Sequence, residues 1–367
     1  MPRLSQSRSS TLLAVVSLVG ALVGLTTATP AQARDHDDVN RFRVARLVAD
    51  QPGKAQTTDP NLVNAWGLAF SPTSPLWVSN NGTSTSTLYT GATSPSPSIT
   101  QVPLVVKIPA GGAPTGVVFN PTTGFALGSG GKTGPALFIF AAETGSITAW
   151  NSSGDPTRAV TVAHVRNAVF KGLTMVTMDG EPYLLATDFH HGRVDVFDSK
   201  FHRVSMPRAF RSHRIPRGYA PFNVADLDGR VYVTYAKQDS ARHDDVAGRG
   251  HGFLSVFGSR GHFLRTLVRR GPLDSPWGLA VAPRGFGGLA GRLLVGNFGN
   301  GRIHVVDRGT GRVVATLRNG SGRPVVIDGL WALLPGNGVS GSTSDVWFSA
   351  GPDGESHGLL GMLHARH

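Results

Sequence analysis

The chain alternates short apolar runs with turns rich in glycine, proline and asparagine, and the runs recur in a fixed order. An apolar stretch opened by Gly or Trp-Gly appears as Trp66-Gly67-Leu68-Ala69-Phe70 and again as Gly116-Val117-Val118-Phe119. Four more follow, beginning at Gly172, Asn223, Gly278 and Ala332. Successive starts at 67, 116, 172, 223, 278 and 332 are 49, 56, 51, 55 and 54 residues apart, which makes six units of nearly constant period. Each unit continues with a second apolar run, for example Leu76-Trp77-Val78-Ser79 or Val346-Trp347-Phe348-Ser349. A polar turn and an alternating run follow, such as Arg193-Val194-Asp195-Val196-Phe197. Strict alternation marks a strand with one buried face, whereas continuous apolar runs mark strands covered on both faces.

A fourth strand closes most units, as in Phe263 to Val268 and Val313 to Leu317. Four-stranded sheets at a period near 50 predict the blades of an all-β, six-bladed β-propeller. The last unit has strands near 331–335, 345–350 and 358–364 and no fourth strand after them. An orphan strand, Phe42 to Val48, precedes the first unit. The N-terminal strand is therefore expected to complete the last blade, which removes an exposed edge. A seven-bladed ring would need a seventh unit, and the sequence contains none.

The N-terminus adds a destination. Arg3 and Arg8, the apolar run Thr11 to Leu25 and Ala31-Gln32-Ala33 have the order of a secretory signal cleaved after Ala33. The predicted organisation is a signal peptide at 1–33, a flexible mature N-terminus at 34–41 and a single propeller over 42–367. Secretion to the extracellular space follows, by general export rather than the twin-arginine route. No later run is apolar enough to span a membrane.

The chain carries 35 Lys+Arg against 23 Asp+Glu and no cysteine. Two of the cations fall in the signal, so the mature chain is 33 − 23 = +10. Disulfides and thiolate metal sites are excluded. The arginines read as distributed over every segment, which argues against a nucleic-acid partner and leaves extracellular polysaccharide, cell wall or another protein. A monomer is expected.

Several segments carry a resemblance. They are DPNLVNAWGLAFSP (59–72), WVSNNGTSTSTLY (77–89), TDFHHGRVDVFD (187–198), YAKQD…HDDVAG (235–248), LLVGNFGNGRIHVVD (293–307), DGLWALLPGN (328–337) and FSAGPDGESHGLLG (348–361). Together they resemble a bacterial family of uncharacterised secreted β-propellers related to the NHL-repeat and TolB-like six-bladed propellers. The resemblance runs over essentially all of 42–365. It implies the fold and export, and no established activity. Relatives often end in a membrane or sorting segment. This chain ends in HGLLGMLHARH, so the expectation is release.

In a propeller, the loops after each second strand and the entries to each first strand share one face and converge on the channel mouth, where function tends to sit. Reading those positions gives Asn64, Glu143, Lys171, Asp188, His190, Asn223, Lys237, Asn297 and Asp328 as candidate ligand-binding residues. Asn, Asp and Gly are also ordinary turn residues, so much of this ring has a purely structural explanation. Asp188 and His190 stand out, because Thr-Asp-Phe-His-His is more than a hairpin requires. The loop 237–252 is far longer than a hairpin turn and holds His243, Asp244 and Asp245, the candidate lid. The Ser/Thr/Pro-rich stretch 90–100 reads as a surface linker, and Trp in the Trp-Gly motif as packing between blades.

No catalytic residue and no metal ligand set is assigned. A divalent cation is the one cofactor such a ring could accept. No His-Glu-x-x-His, Gly-x-Ser-x-Gly or phosphate-binding loop is present. The leading reading is a binding or interaction module using the mouth. A metal-assisted lactonase or lyase and an envelope-associated structural protein are the alternatives.

Overall fold

The computed structural model describes residues 40–93, 97–109, 111–129 and 132–366. The signal peptide and most of the 34–41 segment lie outside these residues. Strand begins at Arg41, one residue earlier than expected, because Arg41 and Phe42 pair in parallel with Arg318 and Asn319.

Six antiparallel sheets form six blades. Their innermost strands are Ala65–Ala69, Pro114–Phe119, Phe170–Met178, Tyr219–Leu227, Pro276–Val281 and Leu330–Pro335. The sixth blade is closed by the N-terminal strand Arg41–Ala49, antiparallel to Leu359–Ala365 in a register from Phe42 opposite Ala365 to Ala49 opposite Leu359. Short parallel pairings with Thr57–Thr58 and Arg318–Asn319 cover part of its outer edge. The second blade carries an extra hairpin, Ala126–Ser129 with Lys132–Pro135, within the 56-residue unit. The 90–100 stretch is not a linker. Strand runs through Gly91 and resumes at Ile99, and the two pair, so both ends of the stretch belong to the outer strands of blade 1.

One irregularity recurs in every blade. The ladder between first and second strands slips near its mouth end, in register shifts at Ala65/Leu68, Phe140/Ala142, Phe170/Gly172, Pro221/Asn223, Pro276/Gly278 and Leu330/Leu333. A bulge of this kind re-aims the side chain it leaves unpaired. The skipped positions include Trp66, Thr115, Lys171, Phe222, Trp277 and Trp331. The residue after each is small or short, and at Gly67 and Gly116 an added Cβ would collide with the neighbouring inner strand at Thr115 and Leu173.

These side chains meet on the axis. Trp66 stacks on Trp331 with centroids 3.5 Å apart, Trp331 stacks on Phe298 at 4.0 Å, and Trp277 meets both tryptophans edge-on at about 6 Å. Blades 1, 5 and 6 thus contribute to one aromatic plug, with Phe222 of blade 4 against it. The tryptophans fill the centre of the ring rather than the seams between blades. Below the plug, a mostly apolar channel of about 200 Å³ is lined by inner strands of all six blades.

Candidate functional site

Lys171 occupies in blade 3 the position that tryptophan holds in blades 1, 5 and 6. Its backbone is fixed by the Trp277 indole, which donates to the Lys171 carbonyl at 2.9 Å. Its side chain is only 3% exposed, with Nζ 5.2 Å from the Trp66 ring. A buried ammonium needs compensating charge, and two carboxylates provide it. Glu143 of blade 2 pairs with Nζ, and Asp244 of the long blade-4 loop does so at 2.9 Å. Burial pushes the ammonium toward losing its proton, but the two carboxylates outweigh burial and hold its pKa above the ordinary lysine value. Burial likewise pulls Asp244 up, and the Lys171 charge and hydrogen bond with His243 alongside bring it below the usual carboxylate range.

The network extends into three further segments. Asn81 donates to Glu143 at 2.9 Å, and Asn64 donates to Asn81 at 3.2 Å and to Glu355 at 2.6 Å. The Trp331 indole donates to Asn64 Oδ1 at 3.0 Å, which ties the polar layer to the plug beneath. Asn64 and Glu355 both hold left-handed backbone, with φ of 47° and 68°. This geometry is uncommon away from glycine and is often concentrated at functional sites. Burial raises the Glu355 carboxyl above its ordinary value.

The loop between Arg230–Lys237 and Gly252–Gly258 is built to deliver Asp244. The Asp239 carboxylate accepts from the backbone N–H groups of His243 at 2.8 Å and Asp244 at 3.3 Å. Val246 N–H donates to the Lys237 carbonyl, and Gly248 N–H donates to Asp274 at 2.6 Å. Asp245 is half-buried in this loop. Its Oδ2 is buried without a hydrogen-bond partner among the described residues, and burial pushes its carboxyl up to about 6. Of the three expected lid residues, Asp244 therefore reaches Lys171, His243 contacts Asp244 at 3.0 Å, and Asp245 lies beside them.

The remaining candidates fall elsewhere. Asp188 is fully buried and satisfied by its own neighbourhood. It accepts from the backbone N–H groups of His191 at 3.1 Å and Val169 at 3.4 Å, and it contacts the His191 ring at 2.6 Å and Arg193 at 3.2 Å. His190 packs its ring against His191 and lends its carbonyl to Gln238, without joining Asp188. Asn223 bridges inner strands by donating to the Trp277 carbonyl at 2.8 Å. Asn297 donates to Asn300 within its own turn and to the Pro272 carbonyl in the connection between blades 4 and 5. Lys237 contributes a backbone carbonyl to the loop. Asp328 is exposed and lies in a separate groove with Arg46, Asp50 and His357.

Among the described residues, one acid–histidine group brings three potential ligand atoms within 4.8 Å of one another: Glu143, His243 and Asp244. The Lys171 ammonium is already bound to two of the three. Glu355 carries no signal in the strand pattern, because it lies five residues beyond the second strand of blade 6, Val346–Ala350, whereas Asn64, Glu143 and Lys171 sit close to strand ends. Aligning the residue before each repeat glycine would have shown Lys171 in a tryptophan position. Among the described residues, no helix is long and apolar enough to cross a membrane.

Comparison with known proteins supports this architecture. No family model matches the chain. Among solved structures, the fold is shared with a streptogramin B lyase (TM-score 0.51, 9% identity, 89% of this chain and 97% of that one). A glucose dehydrogenase gives TM-score 0.51 at 13% identity over 88% of this chain and 100% of that one. At such identities only the fold is shared. In sequence, the chain is 32% identical to uncharacterised protein R648 of Acanthamoeba polyphaga mimivirus over 89% of its own length and 80% of that protein. It is 31% identical to protein L690 of the same virus, over 89% and 86%. These matches are viral, whereas the sequence motifs had pointed to bacterial proteins. The chain belongs to the family of six-bladed β-propellers that includes the mimivirus proteins R648 and L690.

Proposed function

We propose that this chain is an exported binding module whose channel mouth takes a positively charged ligand, an organic amine in the simplest case. The observation that carries the reading is charge balance. Glu143, Asp244, Asp245 and Glu355 gather around one buried ammonium, Lys171, so the carboxylates outnumber the cation that the fold supplies. Glu143 and Asp244 are committed to Lys171. Asp245 and Glu355 are the acids without a cation of their own, and burial, which costs a carboxylate its hydration, raises both carboxyls above their ordinary values. An incoming cation would recover that cost, since a buried carboxylate gains most from a partner. Export rests on the N-terminal apolar run and small-x-small site.

The test is a thermal-shift series at pH 7.5 with spermidine and glucosamine against the neutral analogues 1,4-butanediol and glucose. Stabilisation by the amines alone, weakening as pH falls from 7.5 to 5 and Asp245 takes up its proton, supports the reading. Equal response to neutral analogues, or none to either class, overturns it.

Metal-assisted lyase or lactonase chemistry is a second reading, favoured by the proximity of Glu143, His243 and Asp244. A divalent ion there must displace Lys171 from both carboxylates. One calcium or zinc per chain in purified protein, lost in Asp244→Ala, would support it. Metal-free protein with no thermal response to either ion would remove it.

A further inference from the structure

The positive charge of the chain is not evenly spread. Between Asp198 and Asp226 there is no acidic residue, and the interval contains Lys200, Arg203, Arg208, Arg211, Arg214 and Arg217. Six cations and no acid give +6, half of the chain's +12, in 27 residues. Four of the arginines recur at every third position from 208 to 217, and all four are exposed. Their guanidinium groups make no hydrogen bond or ion pair among the described residues, unlike Arg203, which pairs with Asp195 at 2.8 Å. His202 and His213 are exposed in the same segment.

The arginines stand on a fixed base. Phe210 is buried, packs against Phe257 at 5.9 Å, and its backbone N–H donates to Gly261 at 2.8 Å. Met206, Ala209 and Ile215 pack on the core of blades 3 and 4. The segment joining Arg203–Val204 to Tyr219–Leu227 is thus pinned through its apolar residues while its cations face solvent. Arg208 also edges an open groove with Arg260 and His262. Guanidinium groups bind carboxylates and sulfates through paired N–H donors, so a pinned array of unpaired arginines suits a repeating anionic polymer.

We propose that the 200–217 segment, at the junction of blades 3 and 4, is a docking surface for an acidic polysaccharide. Two features favour a glycan over other polyanions. No Phe, Tyr or Trp side chain is exposed in the segment, since Phe201 and Phe210 are buried, so it lacks the large ring platforms on which single-stranded nucleic acid stacks its bases. None of the large exposed hydrophobic residues falls in it, so it has no anchor for a membrane. This surface is independent of the channel mouth and of the reading given for it.

The test compares wild-type protein, a variant with Arg208, Arg211, Arg214 and Arg217 changed to Gln, and a control with Arg158, Arg230, Arg284 and Arg312 changed to Gln. The two variants lose equal charge. Binding to polygalacturonate and to heparin is measured over a salt series, beside single-stranded DNA and vesicles containing phosphatidylserine. Unchanged melting temperature confirms that each variant is folded, as expected for exposed and unpaired side chains. The proposal expects at least tenfold weaker binding to one or both polysaccharides in the first variant, with a shallower salt dependence, and less than a twofold change in the control. Preference for polygalacturonate or for heparin then identifies carboxylate or sulfate as the group recognised. Equal losses in both variants, tighter binding to DNA or vesicles than to either polysaccharide, or no polysaccharide binding by the wild type would each overturn it.

Discussion

Two polar clusters on this propeller contain the same ingredients, a buried charge with opposite charges around it, and they differ in where the partners come from. Asp188 takes its hydrogen bonds from Val169 and His191 and its ion pair from Arg193, all in the first strand entry and hairpin of one blade. Lys171 takes its partners from blade 2 and the long loop of blade 4, and lies over a ring from blade 1. The first cluster closes a turn and uses its polar capacity in doing so. The second is assembled only when the ring closes, and two nearby carboxylates remain without a cation. Local satisfaction marks architecture, and convergence from separate blades marks a site.

The largest effect expected from breaking this contrast is at Lys171. Lys171→Met leaves Glu143, only 15% exposed, without its cation, and removing one partner of a buried pair costs about 3–5 kcal/mol. Denaturant unfolding should show that loss, and adding Glu143→Gln should restore a large part of it through coupling between the two positions. Failure of the second change to rescue the first would mean that the pair is not the unit described.

Asp188→Ala should cost less, about 1–2 kcal/mol, because the side-chain partners left behind, His191 and Arg193, are partly exposed and can turn to water. Its ligand response by thermal shift should stay as in the wild type. A variant that kept its stability and lost amine binding would reverse the roles assigned to the two clusters.

Asp245 gives an effect of similar size with the opposite sign, confined to one side of its titration. Burial holds its folded pKa at about 6, above the unfolded value of about 4. A raised carboxyl contributes stability below the unfolded value and loses it as pH rises through the folded one. Asp245→Asn should therefore stabilise the protein at pH 7.5 by about 1–2 kcal/mol, the full shift being discounted for partial exposure, and leave it unchanged near pH 4. Unfolding curves at the two pH values check the difference. Equal effects at both would show that Asp245 does not titrate as described.

Much of the fold was legible because it repeats. Six runs opened at similar spacing fixed the blade count, and the missing fourth strand after 358–364 together with the orphan at 42–48 specified the closure seen in the Arg41–Ala49 pairing. The site was legible only in part. Strand period places Asn64, Glu143 and Lys171 at the mouth, but the partner each side chain selects comes from other blades, 28 residues away for Lys171 with Glu143 and 291 for Asn64 with Glu355. Asp188 and His190 drew notice as an unusual run, yet adjacency in sequence makes local bonding the simplest outcome. The tryptophans looked like seam packing because alternation gives the face of a strand, whereas a bulge turns the residue toward the axis.

The most direct test of the central claim is calorimetric titration of spermidine at pH 7.5 into wild-type protein, Glu355→Gln and His190→Ala. The account predicts saturable binding to the wild type, at least tenfold weaker binding to Glu355→Gln and unchanged binding to His190→Ala. Loss of binding in His190→Ala with retention in Glu355→Gln would contradict it.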